Sequence, residues 1–315
     1  MTAPPDLAAV REALVEAGEP DPGDLTAAPP GIGASRELWA LAAGDRPKYV
    51  LRRDPVGDEP QTSRLTEFAV QRAAFEAGVP VPRPIVCEEA GGRFETAGMV
   101  MTWVDGEAIP RRVLRGGALR AGQLGAALRA LRAVDTTSLP GVAPADPCGD
   151  ALDMVRSLLD STGNALPALE LGVRWLDLNR PAAGEVGVVH GDFRLGNFLV
   201  GDDGLVAVID WEFWHLGDPV EDLAWVCARP WRFGADEHVV AGIGDLDELL
   251  SGYGEAVEPE RLLWWDAVSQ AKWAAYCAQQ AALRRAGAHT SLERTVLARR
   301  VAEAEWDMLE LMERA

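Results

Sequence analysis

Residues 189–197 read VHGDFRLGN, and thirteen positions after Asn197 the chain reaches Asp210 within AVIDW (207–211). Transfer of a phosphoryl group from a nucleoside triphosphate to a hydroxyl needs a carboxylate that accepts the hydroxyl's proton. It also needs hard oxygen ligands for the Mg²⁺ that bridges the phosphates. Asp192 can be the proton acceptor, Asn197 offers an amide carbonyl on the same tight loop, and Asp210 offers a carboxylate at a strand end. Mg²⁺ keeps several waters and binds phosphate oxygens, so one carboxylate and one amide make a sufficient protein contribution. A solitary His-x-Asp would carry little information in so acidic a chain. The Asn offset and the strand–turn–strand pattern between Asn197 and Asp210 carry more. The competing reading is structural: Asp192 and Asn197 cap a turn, and Asp210 closes a strand.

Such a constellation requires elements that hold it. Strands at 198–200 and 205–209, joined by GDDG at 201–204, form a hairpin that returns Asp210 beside Asn197. Upstream, a short helix spans 6–18, a Pro/Asp/Gly-rich connector spans 19–30, and strands at 37–43 and 48–53 flank a turn at 44–47. The pattern over 62–77 predicts a helix with Leu65, Phe68, Ala69 and Phe75 on its apolar side. VPVPRP at 79–84 must be extended, and strands follow at 85–87 and 99–104. Downstream the pattern turns helical. Leu124, Leu128 and Leu131 give 118–134 one buried stripe, and helices are expected at 154–159, 168–179, 219–228, 245–252, 260–285 and 291–313. The expected fold is α+β and two-lobed, with a small β-rich lobe over 1–105 and a larger, mainly helical lobe over 106–315.

Composition narrows the partners. The 315 residues are 48% hydrophobic and 25% charged, the balance of a globular protein. A net charge of −19, spread in proportion to length, argues against a nucleic-acid or anionic-lipid binder. Cys87, Cys148, Cys227 and Cys277 form no CxxC pair, so neither a zinc site nor a disulfide framework is indicated. No basic-then-apolar leader is visible, and no apolar run approaches the ~18 residues of a membrane span. A reduced, cytoplasmic protein is expected. Only two of the 30 basic residues are lysines, Lys48 and Lys272, so an arginine in a lysine's role is unsurprising.

HGDFRLGNFLV (190–200) with VAVIDWEFWHLGDPVEDLAW (206–225) resembles the aminoglycoside phosphotransferase/choline kinase-like family, whose members share a protein-kinase-like fold. The similarity extends to GIGASRELW (31–39), YVLRRD (49–54), GVPVPRP (78–84) and DGEAIPRR (105–112), covering roughly 30 to 230. These last segments look most like an actinobacterial branch related to kinase-like domains fused to acyl-CoA dehydrogenases. The resemblance implies ATP and Mg²⁺ as cofactors, Asp192 as catalytic base, Asn197 and Asp210 as metal ligands, and His190 as the residue shaping the loop. Asp218 is expected to fix the helix after it, and Trp211 to pack beneath the metal site.

At the nucleotide end, Gly31, Gly33 and Ser35 could bring backbone N–H groups to phosphates. The family's phosphate-binding Lys falls on Arg52. Strand alternation puts Val50 and Arg52 on one face, with Lys48 as reserve and Arg53 pointing away. Glu67 is the expected partner of Arg52, and Met101, Thr102 and Trp103 belong to the hinge meeting the adenine. The family's Leu-His-x-x-Asp is LRAVD here (131–135), so that His is absent, and no long activation loop follows Asp210. A small hydroxylated substrate is therefore expected rather than a protein. Trp225, Trp231, Trp264, Trp265, Trp273 and Tyr276 lie in the acceptor region and favour an apolar or ring-bearing acceptor over a polycationic sugar. An antibiotic kinase and a catalytically silent nucleotide-binding module are the alternatives. The oligomeric state is not legible.

Overall fold

The computed structural model of the chain describes residues 4–29, 37–54, 63–288 and 291–314. Helix α1 (Leu7–Glu16) is capped by Asp6, whose carboxylate accepts the N–H groups of Ala8 and Ala9. Strands β1 (Leu25–Ala28), β2 (Glu37–Ala43) and β3 (Pro47–Arg53) precede helix α2 (Arg64–Glu76), then β4 (Pro84–Glu88) and β5 (Gly98–Thr102). They form one antiparallel sheet in the order β1-β2-β3-β5-β4. Strand β1 lies within the segment expected to be a connector; its four residues are too few to show alternation beside the Pro-rich stretch.

Alternation along β3 sets the two faces of the sheet. Tyr49 and Leu51 join Val10 and Leu14 of α1, Leu41, Phe94 and Val100 in an apolar cluster. Val50 and Arg52 point the other way, where Arg52 meets α2. The buried side of α2 differs from the expected one. Leu65 and Phe75 are 41% and 42% exposed, while Arg64, Glu67, Val70, Gln71 and Ala74 are buried. The helix turns three polar side chains inward because they are paired there, a phase that hydrophobic spacing cannot register.

The remainder is mainly helical: α3 (Pro110–Gly116), α4 (Ala121–Arg132), α5 (Pro147–Thr162), α6 (Pro167–Leu178), β6 (Gly187–Val189), β7 (Phe198–Gly201), β8 (Gly204–Val208), β9 (His215–Gly217), α7 (Val220–Cys227), α8 (Leu246–Tyr253), α9 (Pro259–Arg285), α10 (Leu292–Val296) and α11 (Val301–Arg314). The helix expected over 291–313 is thus two helices separated by a 3₁₀ turn at Leu297–Arg300. Strands β7 and β8 pair as the expected hairpin, Phe198 opposite Val208. Strands β6 and β9 make a second, two-stranded ladder.

One core runs from the sheet side to the hairpin. It joins Val70, Ala74, Val79 and Val81 to the α4 stripe of Leu124, Leu128 and Leu131, and to Phe193, Phe198, Val208 and Trp211. A second core packs α9, through Trp264, Trp265 and a run of alanines, against α5, α6 and α11. The four cysteines are free. Among the described residues no helix is long and apolar enough to cross a membrane.

Candidate active site

The loop 190–197 leaves β6 with Gly191 at φ 78°, where a Cβ would meet the Phe213 carbonyl oxygen at 2.3 Å. Only glycine fits that turn. Asp222, in the first turn of α7, accepts the His190 N–H at 2.6 Å and the Gly191 N–H at 3.0 Å on separate oxygens. Burial and the neighbouring Glu221 push the Asp222 carboxyl up, against the pull of those two N–H groups. His190 is fully buried. Its Nδ1 accepts the Asp192 N–H at 3.2 Å, which leaves Nε2 to donate to the Ile209 carbonyl at 3.1 Å. Both bonds need the neutral imidazole, and burial pushes its pKa down to about 4. The Ile209 N–H donates to the Asn197 carbonyl at 2.9 Å. Two bonds therefore lock the residue before Asp210 to the loop that carries Asp192. Trp211, fully buried, has its ring 4.7 Å from that of His190.

The Asp192 carboxylate is densely coordinated. Asn197 Nδ2 donates to Asp192 Oδ2 at 2.7 Å and to its backbone carbonyl at 2.9 Å. Arg194 Nε lies 2.8 and 3.1 Å from the two oxygens, and Trp225 Nε1 donates to Oδ1 at 3.1 Å. The Arg194 guanidinium also sits 4.6 Å from the Trp231 ring centroid. Lys272 Nζ lies 4.8 Å from that of Trp225 while donating to the Gly191 carbonyl and to Glu221, both at 3.1 Å. Burial pushes Glu221 up, but Lys272 and then His215 outweigh it and hold the carboxyl down at about 2.

Asp210 has φ 68°, a left-handed conformation that Asp adopts more readily than most residues. Its Oδ1 accepts from Arg52 Nη2 at 2.8 Å, and Arg52 Nη1 donates to Glu67 Oε1. The two candidate metal ligands retain the oxygens a hard cation needs. Asn197 uses only Nδ2 in its bonds to Asp192, leaving carbonyl Oδ1, and Asp210 keeps Oδ2. Asp210 is also about one third exposed, 35% for its side chain. Among the described residues no group of three or more His, Cys, Asp or Glu could hold a metal alone. The donor set fits Mg²⁺ completed by phosphate and water.

Val50 shares the Arg52 face and pairs with Met101, and Lys48 is exposed. Arg53 points to the other face, 3% exposed, with Nε 3.0 Å from Glu37. In the segment expected to be the hinge, the Thr102 N–H donates to the Arg83 carbonyl at 3.0 Å and the Trp103 N–H to the Lys48 carbonyl at 2.8 Å. Neither N–H is available to a base, which leaves their carbonyls. Gly31, Gly33 and Ser35 lie outside the described residues.

The six aromatics expected in the acceptor region divide into two sets. Trp264 and Trp265 are core, their indoles donating to the Leu176 carbonyl at 2.9 Å and to Asp218 at 2.6 Å. Trp225, Trp231, Trp273 and Tyr276 form a chain of ring contacts beginning at Asp192. Asp218 is 2% exposed and holds Arg261, Trp265 and the Val220 N–H, the expected helix anchor. Sequence reasoning did not single out Asp54, Arg64, Arg194, Asp222 or Lys272. Of these only Asp222 carried a signal, an acid in the first turn of a helix directly after the GDP motif.

The model of the Phosphotransferase enzyme family matches residues 26–264. Acyl-CoA dehydrogenase family member 11 of Rattus norvegicus is 30% identical over 269 residues, 70% of this chain but 31% of that protein. The chain thus spans about a third of the length of that relative. Among solved structures, a putative aminoglycoside phosphotransferase from Ralstonia eutropha superposes with TM-score 0.79 at 20% identity over 99% of each chain. Choline kinase from Cryptosporidium parvum gives TM-score 0.63 at 13% identity over 98% of this chain and 94% of that one. The expected α+β, kinase-like architecture is therefore present, and by the extent of the family match this chain belongs to the phosphotransferase enzyme family.

Proposed function

We propose that the chain is an ATP- and Mg²⁺-dependent kinase that transfers the γ-phosphoryl group to a hydroxyl of a small molecule, with residues 1–105 as the nucleotide lobe and 106–315 as the catalytic and acceptor lobe. The carrying observation is the pair of bonds from Ile209 to the catalytic loop, which keeps Asp210 beside Asn197 and Asp192. In this reading Asp192 accepts the acceptor's proton as the hydroxyl oxygen attacks, and Asn197 orients that carboxylate through Nδ2. Arg52 contacts phosphate oxygens, its planar fork held by Glu67. Val50, Met101 and the carbonyls of Thr102 and Trp103 meet the base, and Gly31, Gly33 and Ser35 meet the phosphates. Mg²⁺, held by Asn197 Oδ1 and Asp210 Oδ2, would supply neutralisation of the charge that builds on the phosphate oxygens.

The acceptor region supports a neutral or apolar group rather than a polycation. The aromatic faces nearest Asp192 are already covered by the chain's own cations, Arg194 and Lys272. Each of these cations is also paired with a carboxylate, Arg194 with Asp192 and Lys272 with Glu221, so a further ammonium would find those two faces and their partner acids already taken. The test is calorimetric titration of ATP with and without Mg²⁺ on the wild type and on Asp210→Asn. The wild type should bind more tightly with Mg²⁺, and the variant should lose that increment. An increment preserved in Asp210→Asn removes the metal assignment.

A further inference from the structure

Arg52 uses its two terminal nitrogens on two different elements, Glu67 of α2 and Asp210 after β8. That bond occupies one oxygen of a Glu67 carboxylate that is fully buried, and the other oxygen must also be satisfied. Arg64, one turn earlier on α2 and 1% exposed, donates Nη1 to Glu67 Oε2. Its Nε donates to Asp54 Oδ1 at 2.6 Å, and Asp54 is the residue just past the end of β3. Gln71 Nε2 adds a longer contact to Glu67 Oε1 at 3.4 Å. The result is a closed circuit. It starts on β3 at Arg52, crosses to α2 through Glu67 and Arg64, and returns to the same strand at Asp54. Each buried arginine is thus paired with carboxylates, Arg52 with Glu67 and Asp210 and Arg64 with Glu67 and Asp54, which offsets the desolvation of the buried charges.

We infer that Arg64 is a positioning residue for the nucleotide site, acting through Glu67 to fix the plane of the Arg52 guanidinium. An ammonium tolerates a range of partner directions, whereas a guanidinium presents its donors in one plane. A carboxylate gripped at both oxygens sets that plane. Asp54 completes the grip by tying the first turn of α2 to β3. The inference rests on the reading of Arg52 as a phosphate contact.

The test measures the affinity of the full chain for a fluorescent ATP analogue with Mg²⁺, for wild type, Arg64→Gln, Arg64→Lys and Asp54→Asn. Partners that orient a ligating group typically contribute ~10–100-fold, so Arg64→Gln should weaken binding by that factor. Arg64→Lys, which keeps the charge but not the fork, should recover part of it. In an Arg52→Ala background, adding Arg64→Gln should change affinity by less than about twofold, because the two act as one unit. A merely structural Arg64 would instead add its full effect in that background, and this would overturn the inference. If Arg64→Gln loses its cooperative unfolding transition, Asp54→Asn, which removes a charge and keeps the shape, carries the same comparison. A wild type that binds no Mg²⁺-nucleotide removes the kinase reading and this inference with it. Wild-type binding with both Arg64→Gln and Asp54→Asn within about twofold removes the inference alone.

Discussion

Acidification should destabilise this protein through His190. The imidazole is fully buried, accepts the Asp192 N–H on Nδ1 and donates from Nε2 to Ile209, so it must be neutral in the folded chain. Its pKa is pushed down from 6.5 to about 4. The unfolded chain binds a proton there at higher pH than the folded one. The stability associated with His190 is therefore complete above pH 6.5 and is lost as pH falls toward 4. Between pH 7.5 and 4.5 linkage gives a loss of about 2–3 kcal/mol from this one group. Urea unfolding at half-unit pH steps on wild type and on His190→Gln measures it. Titrations of Glu221 and Asp222 occur in both proteins and drop out of the difference. The pH-dependent part of the wild-type curve should exceed the variant's by about 2–3 kcal/mol over that window. Parallel curves would refute the neutral, doubly bonded imidazole and with it the account of how Ile209 is locked to the loop.

Arg52→Ala removes two charge-assisted bonds and should weaken Mg²⁺-ATP binding by ~10–100-fold in titration, with Arg52→Lys recovering part. Lys48→Ala should leave affinity unchanged and Arg53→Ala should lower only the unfolding midpoint; the assignment fails if Lys48→Ala is the damaging change. Asp218→Asn strips the charge that balances Arg261 in a buried site and should destabilise the fold by ~3–5 kcal/mol, measured by urea unfolding. It should leave ATP affinity near wild type, and a matching loss of affinity would mean that Asp218 faces the nucleotide.

The parts of this molecule legible in its sequence are those in which local chemistry and long-range packing agree. The stripe of Leu124, Leu128 and Leu131 is buried as its spacing requires, and GDDG closes the β7–β8 hairpin. Arg52 lies on the Val50 face with Glu67 opposite, as strand alternation and the resemblance implied. The phase of α2 was not legible. Its apolar residues mark a face that the fold leaves half open, while Arg64 and Glu67 turn inward because each finds a partner outside the helix, Asp54 and Arg52, and Gln71 follows by bonding Glu67. Propensity and periodicity describe single elements and carry no information about such pairs. The same limit hid Arg194, and it hid that Trp225, expected in the acceptor region, donates to Asp192. Strand β1 was hidden differently: it exists because β2 offers an edge, and four residues of LTAA show no pattern of their own.

We propose Asp192, Asn197 and Asp210 as the phosphoryl-transfer centre. The most direct measurement is Mg²⁺-dependent ADP release by wild type and Asp192→Ala across a panel of cationic, neutral and anionic hydroxylated metabolites and antibiotics, with ATP affinity measured on both proteins. The wild type should release ADP in an acceptor-dependent manner, best with uncharged or apolar hydroxyl compounds. Turnover should fall by ~10²–10⁴ in Asp192→Ala with ATP affinity retained. Equal losses of turnover and ATP affinity in the variant, or acceptor-dependent release that survives it, would show that Asp192 is not the proton acceptor.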